Sequence, residues 1–190
     1  TSDPRLKKYA SIITDQNQRL NDQVEKVLNI ARVEKDSFEL KKESIDLHDT
    51  LSSIVKSESV RLKDGKISMN FNDENMEIIA DPLHFTNVIT NILDNAIKYS
   101  DKHPDITFTT EKRNNLNIIK IQDKGIGIDK EKQKQIFDKF YRVSTGDVHN
   151  VKGFGLGLFY VKNICRAHGW IIDADSELGK GTTFTIKIPF

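Results

Sequence analysis

Cysteine is almost absent: Cys165 is the only one in 190 residues. No internal disulfide can form, and this usage fits a reducing, cytoplasmic compartment. Cys165 shares a helical spacing with Leu158, Val161 and Ile164, so it reads as a small buried hydrophobe and not a nucleophile. A bias of charge is absent too. Lys and Arg total 29 against 28 for Asp and Glu, a net charge of +1, so global electrostatics gives no case for bound nucleic acid. No apolar run approaches the length of a membrane span, and the first residues do not form a secretory signal. What remains is a soluble globular mixture, 37% hydrophobic and 30% charged, long enough for one main domain with an appendage.

The chain opens on helical periodicity. Leu6, Tyr9, Ile13, Leu20, Val24, Val27 and Ala31 trace a heptad-like seam, interrupted at Gln16 or Asn17, and predict one long amphipathic helix over 5–34. Such a stripe needs partner helices. Asp36-Ser37 breaks it. Phe38, Leu40 and Ile45 suggest a short strand, and 46–62 returns to helical spacing. Residues 67–71 and 76–80 alternate like strands. Asp81-Pro82 then announces a helix, as an N-cap followed by proline at the first helical position. Strands are expected over 106–111 and 116–122, joined as a hairpin through Arg113-Asn114-Asn115. Helices are expected over 131–141, with Ile136, Phe137 and Phe140 on one side, and over 156–168, capped by Gly169. Strands over 170–175 and 182–188 end the chain.

Three features carry chemistry. The helix after Asp81 has Asn87, Asn91 and Asn95 in one stripe, continued by Lys98 and edged by Tyr99. Asparagine is a mediocre helix former, so three together want a reason other than helicity. Amide oxygens can ligate a hard cation such as magnesium, and a lysine can meet phosphate; a solvated polar face is the plainer alternative. Second, Asp123 has the strand parity of Ile119 and Ile121, and a carboxylate on an apolar face needs a partner. The glycines after it, Gly125 and Gly127, let backbone approach a ligand; an exposed turn is the alternative. Third, Gly153-Phe154-Gly155-Leu156-Gly157-Leu158 opens a helix, and free N–H groups at a helix start suit phosphate. A polar segment precedes this loop where a dinucleotide fold needs a strand. Gly179-Lys180-Gly181 lacks the Ser/Thr of the nucleoside-triphosphatase loop, and Ala174 stands where that pattern has glycine. The His-Arg-Asp and Asp-Phe-Gly signatures of Ser/Thr/Tyr kinases are missing.

In order and spacing, Asn91–Tyr99, Asp123–Gly127, Phe137–Phe140, Gly153–Leu158 and Gly181–Phe184 resemble the asparagine, first glycine, phenylalanine, second glycine and third glycine boxes of sensor histidine kinases. The resemblance covers essentially the whole chain. It implies an α/β (α+β) two-layer sandwich, a mixed sheet with about three helices, of the type shared with Hsp90, MutL and gyrase B. Residues 37–190 would form this catalytic ATP-binding domain. Residues 1–36 would supply the second helix of a dimerisation and phosphotransfer hairpin.

The same resemblance implies ATP and Mg2+ as ligands and assigns roles. Asn91 would ligate magnesium. Asn95 and Lys98 would lie against the phosphates, and Tyr99 would flank the adenine. Asp123 would accept from the adenine amino group, with Gly127 and Thr182 beside it. Arg142 would reach the γ-phosphate. Gly153, Gly155 and Gly157 would hinge a lid over 142–152. Gly125, Ile128, Phe137, Leu156 and Leu158 complete the nucleotide-binding positions. A response regulator receiver domain would be the partner, and the parent protein a homodimer through the hairpin, with no nucleic acid bound.

One departure from the family concerns the acceptor, a histidine followed by an acid and then a proline. Among His48, His84, His103, His149 and His168, only His48 precedes an acid, and it lies after the long helix. The acceptor helix is therefore expected upstream of Thr1, and the chain alone is expected to bind ATP without phosphorylating itself. Phe154, Phe159 and Tyr160 are bulkier than the residues many relatives carry there. A nucleotide-binding regulatory module, or another ATPase of the same superfamily, is the alternative function.

Overall fold

A computed structural model describes residues 5–14, 17, 39–60, 62, 64–72, 76–100, 103–143 and 154–190. The chain divides into two compact units, Thr1–Glu39 and Leu40–Phe190. In the first unit residues 5–14 are helical (α1), with Leu6, Tyr9, Ile12 and Ile13 exposed. The remaining seam positions of the predicted 5–34 helix, from Leu20 to Ala31, and the break at Asp36-Ser37 lie outside the described residues.

The second unit reads β1 (Glu43–Asp46), α2 (Leu47–Ser59), β2 (Lys66–Phe71), β3 (Glu77–Ala80), α3 (Pro82–Lys98), β4 (Asp105–Arg113), β5 (Leu116–Asp123), α4 (Gly157–His168), β6 (Ile171–Glu177) and β7 (Gly181–Pro189). The main sheet has the order β2-β4-β5-β7-β6. Only its β2–β4 pair is parallel, so the sheet is mixed. β1 and β3 pair antiparallel as a separate two-stranded sheet. Helices α2, α3 and α4 pack together over one face of the main sheet, which makes the predicted two-layer sandwich.

Local chemistry explains the element boundaries. Asp46 caps α2 by accepting from the Asp49 N–H at 2.8 Å, and Leu47, Leu51, Ile54 and Val55 point inward at helical spacing. Asp81 does the same for α3, accepting from the His84 N–H at 3.1 Å, with Pro82 at the first position. The β4–β5 hairpin turns on Asn114 and Asn115, both left-handed at φ 51° and 58°. Asparagine tolerates that region, and two such residues match the right-handed strand twist. Period-2 alternation puts Ile106 and Phe108, Ile119 and Ile121, and Phe184 and Ile186 under the helices, all buried. Each such side chain contributes roughly 1.5–3 kcal/mol of transfer free energy.

One predicted helix is absent. Over 131–141 the chain makes successive i to i+3 turns: Lys132 N–H to Asp129 O, Gln135 N–H to Lys132 O and Asp138 N–H to Gln135 O. Ile136 and Phe137 are buried as expected, but Phe140 is 64% exposed with φ 64°. Its N–H bonds Gly155 O at 3.0 Å, a tertiary contact that bends the chain out of helical geometry.

Candidate functional site

At the strand end, β5 delivers Asp123 to the inner face next to Ile121, and the side chain is only 5% exposed. Its Oδ1 accepts from the Gly125 N–H at 2.8 Å and the Thr182 N–H at 3.3 Å. Burial pushes its carboxyl above the ordinary value, and these two bonds pull the other way. Both bonds use Oδ1, so among the described residues Oδ2 is left to accept from a ligand. Gly125 also presses on the carbonyl of Tyr99 at the end of α3, where Ile126 N–H donates to the same carbonyl at 3.0 Å. Gly127 is left-handed, φ 68°, and a Cβ there would collide with Glu177 O. The loop after Asp123 is thus clamped between α3 and β6.

Ser176, which sequence reasoning did not single out, ties this loop together. Its hydroxyl donates to Gly181 O at 2.8 Å and accepts from the Ile128 N–H at 2.8 Å. The Thr182 hydroxyl, also 2.8 Å away, is then the donor to Ser176 Oγ. Gln133 Nε2 donates to Ser176 O at 2.6 Å and Ile128 O at 3.1 Å. The available signal was parity: Ser176 follows Ile172 and Ala174 on the inner face of β6 and pairs with Thr182.

The helix end is built from α3 and the start of α4. Asn91 Nδ2 donates to Asn87 O at 2.7 Å, one turn back, which leaves Oδ1 as the amide's acceptor. Gly157, the first residue of α4, faces it; a Cβ there would come within 2.9 Å of Asn91 Oδ1. Asn95 and Lys98 follow on α3, both half-buried, with Lys98 Nζ 5.6 Å from the Tyr99 ring centre. Among the described residues no group of three or more His, Cys, Asp or Glu side chains could hold a metal. A single amide oxygen suits a hard cation that takes its other ligands from water and phosphate, as Mg2+ does.

Other site residues are placed more loosely. Leu156 is buried and Leu158 half-buried at the start of α4, which has no side-chain N-cap. Phe137 packs edge-on against Phe184, ring centres 6.4 Å apart, with Lys162 Nζ 5.9 Å from it. Arg142 is exposed on the chain leaving Tyr141. Gly153 and residues 144–152 of the expected lid lie outside the described residues.

A mixed sheet under three helices, with a buried carboxylate at a strand end joined through Tyr99 to an amide-bearing helix, defines a nucleotide-binding α/β sandwich. Residues 80–190 match the model of histidine kinase-, DNA gyrase B-, and HSP90-like ATPases. The chain is 42% identical to "Sensor protein RprX" of Bacteroides fragilis over 98% of its own length, and spans 37% of that relative. The full-length ShkA structure in complex with AMPPNP superimposes with a TM-score of 0.86 at 23% identity, over all of this chain and 40% of that one. The histidine kinase ThkA in complex with response regulator protein TrrA gives 0.72 at 23% identity, over all of this chain and 53% of that one. The chain belongs to the histidine kinase-, gyrase B- and HSP90-like ATPase family, as a catalytic ATP-binding domain of the sensor histidine kinase type.

Proposed function

We propose that this domain binds Mg-ATP and transfers the γ-phosphoryl group to a histidine on a dimerisation helix, for onward transfer to the aspartate of a response regulator. The observation that carries the reading is Asp123: a buried carboxylate with one oxygen engaged by backbone and the other left to read an amino group. On this reading Oδ2 accepts from the adenine amino group, Thr182 lies beside it, and Tyr99 flanks the base. Asn95 and Lys98 meet the phosphates, and Arg142 serves the γ-phosphate. Mg2+, when bound, would neutralise charge on the phosphates. The chain's own part is to position and to exclude water, since phosphoryl transfer asks for little covalent help from the protein. Asn91 offers Oδ1 to the metal. Gly155 and Gly157 keep backbone N–H groups open at the start of α4.

Residues 1–36 are read as one helix of the dimerisation hairpin. The exposed Leu6, Tyr9, Ile12 and Ile13 on α1 support this, because such a stripe is covered by partner helices. The partner is a receiver domain, supported by the kinase–regulator complex formed by ThkA. The domain is placed in the cytoplasm on the reading of its single cysteine. Among the described residues no helix is long and apolar enough to cross a membrane.

Calorimetric titration of ATP, GTP and adenosine with and without Mg2+ tests this. ATP should bind more tightly with Mg2+ and much more tightly than GTP. Asn91→Ala should weaken Mg-ATP by about tenfold, the cost of one ligand or charged hydrogen bond, and leave adenosine nearly unchanged. Equal losses for both ligands count against the metal role.

A further inference from the structure

Tyr160 is the fourth residue of α4 and is 6% exposed. Its hydroxyl lies 2.6 Å from His84 Nδ1, and the Asn87 amide, one turn further along α3, lies close enough to act on its titration. In the tautomer with its proton on Nε2, neutral His84 accepts the phenol proton on Nδ1. Burial keeps both groups neutral, holding His84 below its ordinary value and pushing Tyr160 up to about 12. The result is a buried polar bridge between α3, which carries His84 and Asn87, and α4, which carries Tyr160. An aliphatic side chain at 160 would fill the space and leave Asn87 and His84 without that partner.

The bridge adjoins the metal-facing amide. One turn along α3 leads from Asn87 to Asn91, and one turn back along α4 leads from Tyr160 to Gly157. The helices pass antiparallel, so Asn87–Tyr160 and Asn91–Gly157 are neighbouring rungs. In the second rung nothing but a glycine separates α4 from Asn91 Oδ1, and the Asn91 Nδ2 is held by the backbone oxygen of Asn87. The spacing of that rung is left to the first. We infer that Tyr160 is a positioning residue for metal-nucleotide binding: its hydroxyl, bonded to His84 and beside Asn87, sets how closely Gly157 approaches the Asn91 amide that would offer Oδ1 to the cation. This rests on the reading of Asn91 given above.

The test is Tyr160→Phe, which removes one oxygen and keeps the ring, with Asn87→Ala as a second variant should the first lose its fold. In nucleotide-free protein, the Asn91 side-chain amide signal is followed by 15N NMR and exchange of the Gly157–Tyr160 amides by mass spectrometry. Affinities for Mg-ATP and adenosine are then measured. The expected result is a moved Asn91 signal, faster exchange in the first turn of α4, and a loss of Mg-ATP affinity of about fivefold, the size of one net hydrogen bond, with adenosine changed less than about twofold. The double variant should lose no more than the larger single loss, because the two changes cut one bridge. An unmoved Asn91 signal overturns the inference, as does an equal loss for both ligands, which is what a packing role alone predicts. Wild-type affinity for ATP that ignores Mg2+ would instead overturn the metal reading of Asn91. The NMR comparison then decides the bridge by itself: a moved signal supports it and an unmoved one overturns it.

Discussion

At the strand end of the site, Asp123 sits between paired strands and takes two backbone N–H bonds on one oxygen. At the helix end, Asn91 has one bond to Asn87 O and faces a glycine. The first arrangement is finished before any ligand arrives. Its neighbours are backbone groups fixed by sheet register, so a base entering it pays little reorganisation. The second is a close approach of two helices that a glycine permits. On the proposed reading, base recognition is written into the sheet, whereas the phosphate and metal end depends on how α3 and α4 are spaced.

Asp123→Asn should do the most damage. Whichever way the amide turns, an NH2 faces either the Gly125 and Thr182 N–H groups or the amino group of the base, a mismatch costing about 1–3 kcal/mol. ATP and adenosine should suffer alike in calorimetric titration, and the preference over GTP should shrink. Unchanged ATP and GTP affinities would remove Asp123 as the base reader and with it the claimed rigidity of the strand end.

Gly157→Ala should act on the other end alone. The added methyl would meet Asn91 Oδ1 at 2.9 Å, so the amide or the helix must shift, at about 1 kcal/mol, the low end for an overpacked site. Mg-ATP affinity should fall several-fold while adenosine is spared. A matching loss for adenosine would show that the two ends are not separable.

The smallest effect concerns pH. Burial depresses the pKa of His84 and of His168. His168 donates from Nδ1 to Ile164 O and accepts the Asp81 N–H on Nε2, so its ring is used as the neutral form. Because the unfolded chain binds these protons more readily, their contribution is fully present above the unfolded value of 6.5 and is lost as pH falls below it. Asp123 has a raised pKa and works in the opposite sense, favouring the folded state as pH falls through its own titration. Thermal unfolding should therefore show Tm declining below about pH 6.5, the ordinary histidine value, and the decline should steepen in Asp123→Asn, which lacks the opposing group. A Tm flat from pH 7 to 5 would contradict the neutral, buried assignment of both histidines.

The sequence by itself determined the elements whose signals are local. Asp81 marks a helix start because a capping oxygen works on its own helix within three residues. The alternation in β4, β5 and β7 marks a buried face because side-chain direction repeats every second residue. Asp123 was legible by that same parity, and the asparagine stripe by its four-residue spacing. Tertiary structure decided what depends on partners far along the chain. The 131–141 stretch has helical spacing, yet it folds as successive turns because Phe140 pairs with Gly155. Ser176 gained its place only when β6 met β7 and the loop after Asp123. Tyr160 looked merely bulky until α4 was laid against α3, 76 residues away in sequence from His84. Capping and alternation are read from one segment's own geometry; a hydrogen-bond bridge between segments exists only when packing brings its two halves within about 3 Å.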